Sequence, residues 1–232
     1  MGRGEISTGR KRNSHPQDWC VDESWVGWQL FKALGDFAQE KAAGETIWDP
    51  CCGSGRTMVT FAEAGFPVYL SDIVDRVDYS QFGADNPPWA FAPLDFLEQT
   101  AAPAPCSVVS NFPYSYIEGI GEACVRQALR LASRRVCAVF PLKWLGSQGR
   151  FGLFAQDHPP QAVLVLTQRP SMPPGDMIPA LEAEGMAFKG AAVDYAWFVW
   201  NVRQPTAPGQ TRLFWLPPLD RTELLLPIEG LA

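Results

Sequence analysis

Two apolar, strand-like runs in this chain end in turns of restricted geometry, and the alternation around them dictates a sheet covered by helices. The first run, Glu45-Thr46-Ile47-Trp48, leads into Asp49-Pro50-Cys51-Cys52-Gly53-Ser54-Gly55. About sixty residues later Cys106-Ser107-Val108-Val109-Ser110 leads into Asn111-Phe112-Pro113-Tyr114. Upstream, Trp25, Trp28, Phe31, Leu34 and Phe37 recur near helical spacing across residues 19–43. Helix signals follow at 56–64 and 115–133, and strand signals at 67–72, near 90–93 and at 135–140. Regular alternation of this kind predicts an α/β, mostly parallel, doubly wound sheet. Two more Val-, Leu- and aromatic-rich strand candidates, 161–168 and 194–201, flank a Pro- and Gly-containing region at 170–190. Residues 1–18 read as a flexible tail, and 203–232, with five prolines in 202–232, as a surface extension. The whole reads as one domain without internal repeats.

Composition narrows the chemistry. With 232 residues, 47% hydrophobic and 19% charged, the chain can bury a substantial core. No apolar run approaches the roughly 20 residues that span a bilayer. The basic N-terminus (Arg3, Arg10, Lys11, Arg12) precedes no apolar segment, so a cytoplasmic protein with no membrane partner is expected. Six cysteines show no Cys-x-x-Cys pairing, and the only histidines are His15 and His158. Reduced thiols are therefore expected, with no metal site and no histidine-based relay. The net charge of −6 is unlike that of a dedicated nucleic-acid binder. It is uneven: residues 1–99 hold 8 Lys/Arg against 15 Asp/Glu, and residues 100–232 hold 11 against 10. Arg126, Arg130, Arg134, Arg135, Lys143, Arg150 and Arg169 either line a substrate face or belong to solvated surfaces.

The first strand, turn and helix present backbone N–H groups at a helix start, a common place for a polar ligand. Gly53-x-Gly55 lacks the third glycine of a dinucleotide fingerprint, and no Gly-Lys-Ser/Thr follows. Asp72 ends the second strand about twenty residues on, where a carboxylate can hold a ribose diol. Asp95 follows the third strand and can accept from an adenine amino group.

Residues 49–55, Asp72, Asp95 and the Asn-x-Pro-Tyr turn at 111–114 occur in an order that resembles amino-methylating class I S-adenosylmethionine-dependent methyltransferases. Their arrangement is similar to the gamma order of adenine-N6 DNA methyltransferases. Several stretches resemble small phage and prophage methyltransferases: Phe140-Pro141-Leu142, 149–154, Pro159-Pro160, 168–172 and 195–200. The resemblance covers roughly residues 22–202, with the domain itself placed at 19–202. It implies a Rossmann-like sheet of about seven strands with an antiparallel C-terminal strand. S-adenosyl-L-methionine is the implied cofactor, held by Asp49, Pro50, Cys51, Gly53, Gly55, Asp72, Asp95 and Asn111.

The implied reaction is methylation of the N6 amino group of adenine in DNA. That amine is a poor nucleophile because its lone pair is delocalised into the ring. By analogy with the family, the Asn111 side-chain oxygen and the Phe112 carbonyl accept its protons, Pro113 fixes the turn and Tyr114 stacks on the base. No histidine base is needed. The family form is Asn-Pro-Pro-Tyr, so Phe112 is a departure; ribosomal-RNA adenine dimethylases also vary that position, which opens an RNA reading. A protein glutamine amide is a further acceptor, and a catalytically silent phage-derived binding module a further reading, which the intact Gly53, Gly55, Asn111, Pro113 and Tyr114 argue against. Asn86-Pro87-Pro88-Trp89 matches the motif by letters but follows no apolar strand and is read as a loop. Cytosine-C5 methylation is disfavoured, because Pro105-Cys106 precedes a strand instead of following one. Trp144, Arg150 and Arg169 are expected to flank the substrate cleft, with Trp144 read as core.

Overall fold

The computed structural model of the chain describes residues 19–82, 89–114, 117–189 and 191–231. Its centre is a sheet of eight strands: β1 (Thr46–Asp49), β2 (Val68–Asp72), β3 (Trp89–Pro93), β4 (Cys106–Ser110), β5 (Arg135–Pro141), β6 (Ala162–Leu166), β7 (Tyr195–Asn201) and β8 (Arg212–Leu216). They lie in the order β3-β2-β1-β4-β5-β7-β6-β8. Only β7 runs against its neighbours, pairing antiparallel with β5 and β6. Among the described residues the α-helices are α1 (Ser24–Ala33), α2 (Ala38–Ala42), α3 (Val59–Glu63), α4 (Ile120–Leu131) and α5 (Ile178–Ala183).

Successive strand residues point to opposite faces, and in the strands between the edges β3 and β8 both faces are largely buried. Ile47, Val109, Cys137, Leu164, Trp197 and Val199 join Leu30, Phe31 and Phe61 in one core layer. Their neighbours Trp48, Val108, Ala138, Val163, Phe198 and Trp200 join Val125 and Ala128 in the other. A parallel sheet shielded on both sides has this continuous apolar character.

Two expectations are corrected. The helix read across residues 19–43 breaks: Gly35, Asp36 and Phe37 have φ of 65°, 56° and 52° between α1 and α2. The break turns Phe37 fully inward, edge-on to Phe61 at 4.9 Å and beneath the Arg135 guanidinium at 5.0 Å. Residues 203–232 do more than cover the surface, since Arg212–Leu216 extends the sheet parallel to β6. The antiparallel strand is thus not the last one. Asn86, Pro87 and Pro88 lie outside the described residues, as does the segment 1–18, while Trp89 opens β3.

The strand order reverses between β1 and β4, whose register aligns Trp48 with Val108. Both turns singled out in the sequence leave the carboxyl ends of these two adjacent strands. Such a switch point opens a crevice in doubly wound sheets.

Candidate active site at the sheet switch point

The glycine turn is held by the strands on either side of it. The Cys52 N–H donates to the Ser71 carbonyl at 3.0 Å, and the Gly53 N–H donates to Asp72 Oδ2 at 2.9 Å. Gly53 and Gly55 have φ of 50° and 84°, a region that favours glycine. At Gly53 a Cβ would also stand 3.2 Å from the Trp19 ring. A cavity of about 240 Å³ opens beside the turn. Pro50, Cys51, Gly53, Asp72, Asp95 and Asn111 line it, six of the eight residues expected to hold a cofactor. Asp49 and Gly55 are not among its lining residues.

Asp49 is 1% exposed; its Oδ1 accepts from the Ser110 hydroxyl at 2.7 Å and the Cys51 N–H at 3.2 Å. It therefore ties the first turn to the strand that carries the second. Burial pushes its carboxyl up to about 8, against those bonds and with added repulsion from Asp22 and Asp72. Burial also raises Asp72, opposed by the Gly53 and Val74 N–H groups and by Arg76. Asp95 caps the short turn Phe96–Glu98 by accepting from the Leu97 N–H at 2.9 Å.

The second turn divides its work between core and site. Phe112 is fully buried, stacked on Phe96 at 5.8 Å and on Phe140 at 6.4 Å. Pro113 lines the cavity with Asn111. The Tyr114 hydroxyl lies 3.0 Å from that of Tyr195, and its ring meets Phe140 edge-on at 6.0 Å. Asn111 Nδ2 donates to Met172 Sδ at 3.8 Å.

Met172 and Tyr195 open onto a second cavity of about 230 Å³, between Pro170 and Tyr195. Its walls include Met177, Leu181, Met186 and Phe188, with Lys189 at one side. The β6–β7 connection thus meets the Asn-x-Pro-Tyr turn at the same edge of the sheet.

Sequence reasoning missed the segment 19–23. Trp19 and Cys20 line the first cavity. Trp19 packs against Gly175 so closely that a Cβ there would lie 2.2 Å from the indole, and the Arg76 guanidinium sits 4.9 Å from its ring. Asp22 is 5% exposed and accepts from the Thr57 hydroxyl at 2.6 Å. Burial raises Asp22, opposed by hydrogen bonds from Thr57 and from Asn111. Met172 and Tyr195 fall within the stretches 168–172 and 195–200 that carried the resemblance, which was the available signal.

Of the two readings given for the cationic side chains, a substrate face or a solvated surface, the structure engages the arginines in contacts within the fold. Arg134 pairs with Glu45 at 3.0 Å, and Arg135 with the fully buried Glu40 at 2.9 Å. Arg126 pairs with Glu122 and Asp157, Arg169 with Asp194, and Arg130 donates to the Gln99 carbonyl. Arg150 donates to the Trp144 carbonyl and lies over its ring. Trp144 itself is core, stacked 3.8 Å from Phe140. Neither Lys143 nor any of these six arginines lines either cavity.

All six cysteines are free. Burial pushes the Cys106 thiol up to about 12, which disfavours it as a nucleophile. Among the described residues no cluster of His, Cys, Asp or Glu is suited to a metal ion, and no helix is long and apolar enough to cross a membrane.

No family model and no curated protein matches the sequence. Solved structures match its fold. A putative RNA methyltransferase from Pyrococcus horikoshii aligns with a TM-score of 0.53 at 15% identity, over 77% of this chain and 82% of its own. The 23S rRNA methyltransferase ErmE aligns at 0.48 and 17% identity, over 82% and 71%. Magnesium protoporphyrin IX methyltransferase from Synechocystis, with bound SAH, aligns at 0.40 and 17% identity, over 85% and 90%. The first alignment carries the assignment: the chain has the Rossmann-like fold of class I methyltransferases.

Proposed function

We propose that the protein is an S-adenosylmethionine-dependent N-methyltransferase that modifies the N6 amino group of adenine in nucleic acid, with DNA as the first acceptor to test. One observation carries the reading: Asn111 stands at the switch point, lining the glycine-turn cavity while touching the wall of the second cavity through Met172. A donor on one side and an acceptor on the other would meet at its amide.

The residues present fit the cofactor. Gly53 leaves its turn free of a side chain beside the cavity, Asp72 closes the turn, and Asp72 and Asp95 place two carboxyls on the cavity wall. When bound, S-adenosylmethionine supplies a methyl group activated by the sulfonium. Pro50, Cys51, Gly53, Asp72 and Asp95 hold and orient it in this reading. Asn111 Oδ1 and the Phe112 carbonyl accept the hydrogens of the incoming amine and draw its lone pair out of conjugation. Tyr114, braced by Tyr195, borders the acceptor ring. The second cavity mixes apolar side chains, among them Met172, Leu181 and Phe188, with the polar Ser171 and Lys189.

RNA adenine is the second reading, favoured by Phe112, which replaces the proline of the common DNA-type motif. The test is transfer of labelled methyl to duplex DNA, single-stranded DNA, RNA and a protein lysate. Counts in adenine that vanish in Asn111→Ala while cofactor affinity persists are the expected result. Unchanged turnover in Asn111→Ala would falsify the assignment, and counts in protein alone would move the acceptor to a glutamine amide.

A further inference from the structure

An asparagine amide has two unlike ends: its oxygen only accepts, and its nitrogen only donates. In the reaction proposed above, on which this inference rests, only the oxygen is useful to an incoming amine. An amide rotated by half a turn would offer N–H groups to N–H groups. Something must hold the rotation.

We propose that Asp22 and Met172 orient the Asn111 carboxamide by taking its two N–H groups, leaving Oδ1 to the cavity. Asn111 Nδ2 lies 3.8 Å from Met172 Sδ, and the Asn111 side chain is among the donors that offset the burial of the Asp22 carboxyl. A thioether has no proton to give, so the amide turns its nitrogen toward Met172 whatever the charge on Asp22. Asp22 is in turn fixed, since Thr57 donates to its Oδ2 at 2.6 Å in a buried site.

The two orienting residues sit on segments clasped to each other. Cys20 bridges antiparallel to Pro174, the Val21 N–H donates to the Pro173 carbonyl at 3.0 Å, and the Ser171 N–H donates to Glu23 Oε2 at 2.8 Å. Residues 20–23 and 171–174 thus form a clasp that carries one amide-facing side chain on each arm. Asp22 and Met172 are positioning residues, acting through Asn111.

The amide NMR spectrum of the full chain tests this without relying on activity. The Asn111 side-chain signals, identified by their loss in Asn111→Ala, should be shifted and protected from exchange. Asp22→Asn and Met172→Leu, which keep the volume of each side chain, should each speed their exchange by about tenfold or more. Signals unmoved in both variants overturn the proposal, whether or not the protein transfers methyl groups. Kinetics supply the second readout. Asp22→Asn should lower kcat about tenfold with cofactor affinity within about twofold. In an Asn111→Asp background, where both side-chain oxygens accept and rotation is immaterial, the same change should cost less than about threefold. Equal cost in both backgrounds would show a structural role only.

Discussion

The cavity beside β1 and β2 takes most of its chemistry from residues close in sequence: a strand, its turn, and the acid that ends the next strand. The cavity beside β6 and β7 borrows its contacts with the motif from afar, Met172 reaching Asn111 and Tyr195 reaching Tyr114. The first is positioned by the parallel sheet and by the Asp72 carboxyl that holds its turn, with Trp19 and Cys20 on one wall. The second depends on the clasp of 20–23 with 171–174 and on aromatic packing under the turn. Donor binding and acceptor positioning should therefore fail separately.

Phe112→Ala offers the largest break. The ring is fully buried between Phe96 and Phe140, so its loss should cost about 3–5 kcal/mol in denaturant unfolding. A cost below about 1 kcal/mol would mean that this ring is not what anchors the second turn. Gly175→Ala comes next, because its Cβ would meet the Trp19 ring at 2.2 Å. Overpacking of about 1–3 kcal/mol is expected, with weaker cofactor binding because Trp19 lines that cavity. Undiminished affinity in calorimetry would detach Trp19 from the donor side.

Asp72→Ala sharpens the local side. Losing the acceptor for the Gly53 N–H should weaken cofactor affinity about tenfold, close to 1.4 kcal/mol, and leave acceptor KM unaltered. Equal affinity would remove Asp72 from the site. The last test concerns Asp49 and pH. Its carboxyl is raised from 3.8 to about 8 in the fold, so the folded state holds its proton longer than the unfolded chain. The protein should lose stability as pH rises from about 4 toward 8 through this group. Asp49→Asn keeps an acceptor for Ser110 and Cys51 without the charge, and should gain stability over the parent as pH rises toward 8. Melting curves from pH 5 to pH 8 that stay parallel for the two proteins would rule this out.

Much of the fold was legible because strand and turn signals are local. Residues 106–110 and 194–201 read as strands from their Val and aromatic content, and the switch from β1 to its glycine turn followed from Gly53 and Gly55. The break at 35–37 was not legible, because it exists to bury Phe37 against Phe61, a contact absent from any local window. Strand β8 was hidden for a similar reason: Arg212–Leu216 is short and flanked by prolines, and it is a strand only because β6 offers it an edge. The choice between a substrate face and a structural role for the arginines stayed open, because charge in a sequence does not reveal its partner. Arg135 belongs to Glu40, across the core.

By itself, the sequence determined the alternating layers, the glycine turn with its acids, and the Asn-x-Pro-Tyr turn, since each is a pattern of a few neighbouring residues with fixed backbone consequences. The tertiary structure alone decided that the two turns meet at β1 and β4, that Phe112 serves the core, and that Asp22, Met172 and Tyr195 surround the motif. Those are contacts between segments 35 to 148 residues apart, set by strand order and by what must be buried together.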